Sequence, residues 1–236
     1  MTPPNPIRDE WTSPDGSVRL LLGDCLEILP TLDREEIGAV VADAPYGLAY
    51  DASTSTQQGI KSFDPIEGDS VPFDISPFVS FPDVLIWSLP QLTLGVPVGM
   101  GAWYAWDKTT RNDLGCRISE YEYCWHKRAT KTRGFRHLWS GAYRASEAGR
   151  ERLHPTQKPV ALMAWCLKHV QGEVICDPFT GSGTTGVACI RTQRRFIGIE
   201  ISEQYFRVAV DRCQRELGRF PLFEQPAKSR QRELLP

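Results

Sequence analysis

A glycine-rich turn followed by an acidic residue carries the strongest chemical signal in the sequence. The segment DPFTGSGTTG (177–186) has the spacing G-x-G-x-x-G between a predicted strand and a predicted helix, and Glu200 ends the next predicted strand. Small residues at such a turn let a ligand approach the backbone at a helix N-terminus, and a carboxylate one strand later can accept both hydroxyls of a ribose. The pattern predicts a nucleoside site without saying which nucleoside.

The position of this turn along the chain argues against a dinucleotide cofactor. A NAD-binding domain would continue with a second mononucleotide-binding half, whereas one predicted strand and one predicted helix follow the turn here. The remaining strands of the sheet must then come from the N-terminal half, in permuted order. An NAD-dependent oxidoreductase is kept as an alternative for its glycine pattern alone.

A second polar turn, DAPYG (43–47), follows a short apolar run. Pro45 and Gly47 end regular structure, so the turn delivers the Asp43 carboxylate at the C-terminal edge of a predicted strand.

Basic residues are concentrated in one part of the chain, although the formal net charge is only -2. Residues 107–158 contain twelve Lys or Arg and six Asp or Glu, and residues 126–146 contain no acidic residue. Such a run is commonly a solvated surface, and a nucleic-acid contact is the functional alternative.

Composition limits the class of protein. The 236 residues are 41% hydrophobic and 24% charged, with a mean hydropathy of -0.32, which predicts one globular domain over 1–236 and excludes disorder. The start of the chain has no signal-peptide pattern, so a cytoplasmic location is expected. Residues 84–106 carry no charge over a length that could span a bilayer, but their prolines and glycines favour two buried strands over a membrane span. The seven cysteines include no C-x-x-C pair, and no metal site is predicted.

Hydrophobic spacing predicts alternating strands and helices. Strands are expected at 18–22, 37–42, 84–88, 102–106, 121–125, 173–176 and 196–199, and helices at 25–32, 159–170, 181–190 and 203–217. Residues 51–80 are expected to form a functional loop, and residues 219–236 a surface tail. The alternation predicts an α/β fold with a mostly parallel, doubly wound sheet.

Three motifs in order carry a family resemblance: DAPYGL (43–48), HPTQKP (154–159) and DPFTGSGTT (177–185). Together they resemble the amino-methylating DNA methyltransferases of the permuted, beta-type arrangement, from about residue 23 to residue 217. The resemblance implies a Rossmann-like methyltransferase fold with the sheet in permuted order. It also implies a small embedded target-recognition segment, at 109–152.

The resemblance implies that the turn at 43–46 is catalytic. The exocyclic amine of a nucleobase is a poor nucleophile because its lone pair is delocalised into the ring. Asp43 is expected to accept one of its N–H groups and the carbonyl of Ala44 the other, while Tyr46 stacks on the extruded base. The family usually has proline at position 44, so Ala44 keeps the acceptor, but the chain loses a fixed φ before Pro45.

S-adenosylmethionine is the cofactor that the resemblance implies. Five residues of the glycine motif are expected to line its pocket: Asp177, Phe179, Gly181, Gly183 and Thr184. Glu200 is expected to bind the ribose, Asp24 the adenine, and Thr156 and Lys158 the methionine moiety. Asp24 as a helix N-cap and Lys158 as a salt-bridged surface lysine are the structural alternatives.

The basic block lies where the family keeps its DNA-recognition segment, which favours DNA contact over a passive surface. Aromatic residues alternate there with basic ones, a mixture suited to phosphate contacts with stacking. The residues expected to bind double-stranded DNA are Lys131, Arg133, Arg136, Trp139 and Arg144. The block is short, which predicts a short target or help from a second subunit in a homodimer.

The sequence therefore predicts a site-specific DNA methyltransferase acting on adenine N6, of the kind found in restriction-modification systems, because the family associates Asp at the first catalytic position with adenine. A cytosine-N4 enzyme is the close alternative, and an RNA or protein amide acceptor is a more distant one. A catalytically idle DNA-binding protein that retains the fold is the alternative from a different class.

Overall fold

The computed structural model describes residues 5–48, 69–90, 93–109, 119–140, 143–149 and 151–219. Most of the predicted loop at 51–80 and all but the first residue of the predicted tail at 219–236 lie outside these ranges. Within the predicted recognition segment, residues 110–118, 141–142 and 150 lie outside them as well.

The described residues form eleven strands and four α-helices. The strands are β1 (Asp9–Thr12), β2 (Val18–Leu22), β3 (Ala39–Asp43), β4 (Asp83–Trp87), β5 (Ala102–Asp107), β6 (Tyr121–His126), β7 (Arg133–Arg136), β8 (Trp139–Ser140), β9 (Tyr143–Arg144), β10 (Val174–Asp177) and β11 (Arg195–Glu200). The α-helices are α1 (Cys25–Ile28), α2 (Val160–Leu167), α3 (Thr184–Arg191) and α4 (Glu203–Arg219).

Nine of these strands form one sheet in the order β1-β2-β11-β10-β3-β4-β6-β5-β7. The five strands from β2 to β4 in this order are mutually parallel. Strand β6 runs antiparallel to both of its neighbours, β4 and β5. The last two strands of the chain, β10 and β11, lie between β2 and β3. The α/β fold with a mostly parallel sheet in permuted order is confirmed.

The central strands are buried on both faces, as their continuous apolar runs predict. On one face Val41 and Leu85 belong to a core that also contains buried residues of α2, α3 and α4. On the other face Val40 and Ile86 pack in a second core, with buried residues from α1 and from 75–81. Successive residues of a strand thus face opposite cores, which fixes the register of each strand.

Some boundaries differ from the sequence predictions. The helix predicted at 25–32 ends at Ile28 and continues as a 3-10 helix over Leu29–Thr31, with Pro30 near its start. Strands β1, β7, β8 and β9 were not predicted, because runs of two to four residues give little periodic signal.

The uncharged stretch at 84–106 supplies most of strands β4 and β5. Among the described residues, no helix has the length and apolar character needed to cross a membrane.

Candidate functional site

Four acidic residues lie at or just after the carboxyl ends of parallel strands. Asp43, Asp177 and Glu200 end β3, β10 and β11, and Asp24 follows β2. Strand β10 pairs with both β3 and β11, so its end lies between theirs. Because parallel strands share one carboxyl edge, the catalytic turn and the glycine turn become neighbours there.

Asp43 is held by a buried lysine from the HPTQKP segment. The Nζ of Lys158 donates to Asp43 Oδ1 at 2.7 Å, to the Tyr46 hydroxyl at 3.1 Å, and pairs with Glu122 Oε2 at 3.0 Å. Lys158 is only 6% exposed. Lys158 is therefore salt-bridged but buried, with its ammonium against the proposed catalytic carboxylate, and its contact with the methionine moiety stays a prediction.

Glu122, on β6, completes this cluster. Its Oε1 accepts a hydrogen bond from Lys108 at 2.7 Å, and its Oε2 accepts one from the Tyr46 hydroxyl at 3.3 Å. Two carboxylates and two ammonium groups therefore meet beside the aromatic residue of the turn.

The cluster shifts the titration of its members. Burial raises the pKa of Asp43 to about 6, although Lys158 opposes the rise. Burial would also raise the pKa of Glu122, but Lys158 and Lys108 together lower it to about 2. Burial and the neighbouring carboxylates raise the pKa of Tyr46 well above its ordinary value. At neutral pH both carboxylates are therefore mostly ionised, and Tyr46 keeps its proton.

Asp177 shapes the glycine turn from inside. It is 2% exposed, and it accepts hydrogen bonds from the Phe179 amide at 3.0 Å and the Thr185 hydroxyl at 2.5 Å. Burial raises the pKa of Asp177 to about 7. Its role in this structure is to join the strand end to the first turn of α3.

Glu200 lies directly against the glycine turn. Its Oε2 accepts the Gly181 amide at 2.7 Å, and its Oε1 accepts the Ser202 amide at 2.8 Å. Gly181 has a φ of 52°. The carboxylate predicted to bind a ribose is thus fixed beside the most accessible glycine of the motif.

Gly183 and Thr184 take part in helix packing, and their predicted place in the cofactor pocket stays a prediction. A Cβ on Gly183 would lie 3.0 Å from the Cα of Ala209 in α4, closer than ordinary contact, and the φ of 79° at Gly183 also favours glycine. The Thr184 side chain is buried and accepts a hydrogen bond from Arg212 at 3.1 Å. Arg212 also donates to the Ser182 carbonyl at 2.7 Å, which ties the turn to α4.

A cavity of about 500 Å³ lies beside the residues that follow Glu200 in the chain. Its lining includes Arg8, which precedes β1, Asp24, which follows β2, and Ile201 and Ser202, which follow β11. Asp24 also caps α1, because its Oδ1 accepts the Leu26 amide at 2.8 Å. Asp24 therefore has both the predicted position and the alternative structural role.

The HPTQKP segment spans the two halves of the site. The ring of His154 lies edge-on to Tyr205 at a centroid distance of 4.3 Å, beside Gly181. Burial and the positive charges of neighbouring residues lower the pKa of His154 to about 3. The neutral ring accepts hydrogen bonds from the amide and hydroxyl of Thr156 through Nδ1. Four residues later, Lys158 reaches Asp43.

Phe179 packs toward the second core. Its ring makes edge contacts with Phe73 and Phe78 at 5.6 and 5.7 Å. The side chain thus links the glycine turn to the segment that covers the opposite face of the sheet.

The predicted DNA-binding residues divide into two groups. Lys131, Arg133 and Arg136 are exposed on and beside the edge strand β7, where Arg136 pairs with Asp107 at 2.8 Å. Trp139 is 9% exposed and belongs to the first core, with Arg144 over its ring at 5.0 Å. The prediction for Trp139 is corrected, because a ring buried in the core is not available for stacking on a base.

Glu122, Lys108 and Arg212 were missed in the sequence. Glu122 alternates with Cys124 and His126 on one face of β6, and an acidic residue in such a row is a usable signal. Lys108 and Arg212 gave no comparable signal. Across the described part of the chain, no group of three or more His, Cys, Asp or Glu side chains is arranged to hold a metal ion.

Comparison with known proteins gives matches at the level of family and relatives. A family model described as DNA methylase, N6_N4_Mtase, matches residues 101–211. The Type II methyltransferase M2.DpnII of Streptococcus pneumoniae is 25% identical over 240 residues, covering 84% of this chain and 90% of that protein. The Type II methyltransferase M2.LlaDCHI of Lactococcus lactis subsp. cremoris is 25% identical over 236 residues, covering 82% and 88%.

Two solved structures share the fold. The M1.HpyAVI-SAM complex has a TM-score of 0.51 at 20% identity, covering 83% of this chain and 99% of that one. The PvuII DNA methyltransferase (cytosine-N4-specific) has a TM-score of 0.53 at 17% identity, covering 85% and 86%.

Proposed function

We propose that this chain is a member of the N6/N4 DNA amino-methyltransferase family and that it transfers a methyl group to the N6 amine of adenine in a short DNA sequence. The target base is extruded from the duplex into the cleft at the carboxyl edge of the sheet, since the reacting amine is not accessible inside the stack.

One structural relationship carries this proposal. Asp43 lies at the end of β3, next to the strand whose turn contains Gly181. An acceptor for an amine and a loop suited to a nucleoside therefore lie side by side. This arrangement supports direct transfer between two bound groups, which gains rate mainly from proximity and orientation.

The residues around Glu200 fit S-adenosylmethionine. Glu200 is anchored by the Gly181 and Ser202 amides, which hold its carboxylate beside the glycine turn, where it would accept a ribose hydroxyl. The cavity of about 500 Å³ beside the residues that follow Glu200 has Ile201 as an apolar surface and Asp24 as a polar one. S-adenosylmethionine, when bound, supplies an electrophilic methyl group on a positively charged sulfur.

The chain's own residues prepare the amine. Asp43 is mostly ionised at neutral pH, and Lys158 occupies Oδ1, which leaves lone pairs of the carboxylate to accept an N–H of the amine. The carbonyl of Ala44 accepts the second N–H, so the nitrogen becomes pyramidal and its lone pair is available. Tyr46 supplies a ring for the base, and its hydroxyl is fixed by Glu122 and Lys158.

The basic surface formed by Lys131, Arg133 and Arg136 is proposed to contact the DNA backbone. All three side chains are exposed, and the surface begins at the edge strand β7. Contacts of this kind set affinity and register and carry no sequence information by themselves.

Nucleoside analysis tests the proposal. Unmethylated DNA of mixed sequence is incubated with S-adenosylmethionine, digested and examined by mass spectrometry, with the wild type compared with Asp43→Ala and with Asp211→Ala, an exposed residue of α4, as control. We expect N6-methyladenine from the wild type and the control and none from Asp43→Ala. N4-methylcytosine alone would establish the cytosine alternative, and DNA binding without any methylated product would establish an idle DNA-binding protein.

A further inference from the structure

Glu122 holds three groups at the acceptor side of the cleft. Its two carboxylate oxygens contact the ammonium groups of Lys108 and Lys158 at 2.7 and 3.0 Å and the hydroxyl of Tyr46 at 3.3 Å. The side chain is 19% exposed, so most of its surface is removed from water. An acidic side chain in such a position needs cationic partners, and it fixes their positions in return.

The position of Glu122 decides how Lys158 is shared. Lys158 lies between Glu122 and Asp43, with Nζ at 3.0 and 2.7 Å from the two carboxylates. Without the charge of Glu122, the Lys158 ammonium would have Asp43 as its only carboxylate partner within the described residues, and Lys108 would lose its ion pair. Lys158 would then be drawn fully onto the carboxylate that the amine must use, and Tyr46 would lose one of its two hydroxyl contacts.

We propose that Glu122 is a positioning residue for methyl transfer: it holds the Lys158 ammonium and the Tyr46 hydroxyl so that Asp43 stays available to the target amine. Glu122 itself contacts neither the base nor the cofactor. The proposal rests on the proposed function, because it assigns Glu122 a role at the same acceptor site.

The electrostatics of the cluster give this role a signature. Burial raises the pKa of Asp43, Lys158 lowers it and Glu122 raises it. Removing the charge of Glu122 should therefore lower the pKa of Asp43. A general loosening of the fold would also lower it, because exposure removes the burial that raises it, so the control variant must show that a less stable fold alone leaves the titration of Asp43 in place. The groups that act on Asp43 from the surrounding elements are Lys158, Glu122, Tyr46 and Asp177, with the Cys166 thiol on α2, and Lys108 acts on Glu122.

Glu122→Gln is the central variant, because it keeps the shape of the side chain and removes the charge. Glu216→Gln is the matched control: Glu216 is also buried and also pairs with two cations, Arg191 at 2.6 Å and Arg219 at 3.6 Å, but it lies on α4. If Glu122→Gln does not fold, Glu122→Gln combined with Lys108→Met restores the charge balance of the outer pair.

Three measurements test the positioning role of Glu122. The first is steady-state methylation, and the second is the affinity for S-adenosylhomocysteine, measured by calorimetry. The third needs no activity: the carboxyl carbon of Asp43 is followed by NMR from pH 4 to 8, and its signal is assigned as the one that Asp43→Asn lacks. A wild type without methyl transfer would contradict the proposed function, and the NMR titration would still decide the effect of Glu122 on Asp43.

We expect Glu122→Gln to lower kcat by about 10- to 100-fold, as a small misplacement of reacting groups does, with cofactor affinity unchanged within about two-fold. Asp43 should titrate at a lower pH in this variant than in the wild type. Glu216→Gln should lower the melting temperature but leave kcat and the titration unchanged. The proposal is overturned if Glu122→Gln matches the wild type in kcat or in the titration, or if adding Lys108→Met restores full kcat, since Glu122 would then only neutralise Lys108.

Discussion

Lys158 and Asp43, which are 115 residues apart in the sequence, form a buried ion pair with a distance of 2.7 Å between Nζ and Oδ1. The pair joins the HPTQKP segment to the DAPY turn. His154, in the same segment, lies beside Gly181. One short stretch of chain therefore contacts both the turn proposed to bind the base and the turn proposed to bind the cofactor.

Asp43→Asn should change the pH dependence of methylation. The wild type needs the carboxylate of Asp43, whose pKa is raised to about 6, so kcat/KM should fall as the pH drops through about 6. The variant keeps an acceptor oxygen but does not titrate there, so it should be slower and lack this fall. Measurements from pH 5 to 8, with Asp211→Asn as control, check this. A fall in the variant near pH 7 would instead identify Asp177, whose pKa is about 7.

Lys158→Met should move the acidic limb of the kcat/KM profile to higher pH. Lys158 lowers the pKa of Asp43, so its removal should move the acidic limb of kcat/KM above the wild-type value. Leaving two buried carboxylates without their shared cation should also cost about 3–5 kcal/mol of stability, measurable by urea unfolding. If Lys158 serves the cofactor alone, the variant should bind S-adenosylhomocysteine more weakly and keep the limb in place.

The fold was predictable because the central strands are continuous apolar runs buried on both faces, as in Val40 and Val41, and these runs can be read locally. The ends of β3 and β11 located Asp43 and Glu200 for the same reason. Glu122 has a sequence signal in its alternation with Cys124 and His126, but its contacts were not predictable, because they depend on β6 pairing with β4 and β5 in antiparallel directions. The role of Gly183 was ambiguous in the sequence, because close packing against Ala209 and an approach to a ligand both favour glycine.

Glu200→Gln should weaken cofactor binding and leave DNA binding unchanged. The glutamine oxygen can still accept one backbone amide, but hydrogen bonds from ribose hydroxyls to a charged group are lost, at about 1.5–3 kcal/mol. Calorimetry with S-adenosylhomocysteine measures the loss. Glu10→Gln, an exposed residue of β1 paired with Arg19, is the control and should bind as the wild type does. Equal affinities for all three proteins would contradict a ribose contact by Glu200.

Replacing Arg133 and Arg136 by glutamine should flatten the salt dependence of DNA binding. Each lost phosphate contact lowers the slope of log K against log salt by about 0.9, so the double variant should lose up to about 1.8. The control is Arg195→Gln with Arg207→Gln, which removes two exposed, ion-paired arginines from β11 and α4. A slope that changes equally in both double variants would point to overall charge rather than to this surface.

Trp139→Ala should act on stability before it acts on DNA. The ring lies in the first core, so truncation should cost about 3–5 kcal/mol of unfolding free energy. At temperatures where the variant remains folded, its affinity for DNA should stay near that of the wild type. A stable variant with much weaker DNA binding would restore the original prediction that this ring contacts DNA.

Ala44→Pro tests the departure from the family pattern. The Ala44 amide donates to the Trp87 carbonyl at 3.2 Å, a bond that proline cannot form and that is worth about 0.5–1.5 kcal/mol. Proline also restricts the unfolded chain, which returns about 0.4–1 kcal/mol where its φ is tolerated. The two effects nearly cancel, so stability should change by less than about 1 kcal/mol, and the carbonyl that accepts the amine is retained. Ala44→Gly keeps the amide but loses a buried methyl group and frees the backbone, so it should be the less stable and the slower of the two. Urea unfolding and kcat for both variants decide the matter: a folded but inactive Ala44→Pro would mean that the bond to Trp87, and not the rigidity of the turn, sets the position of Asp43.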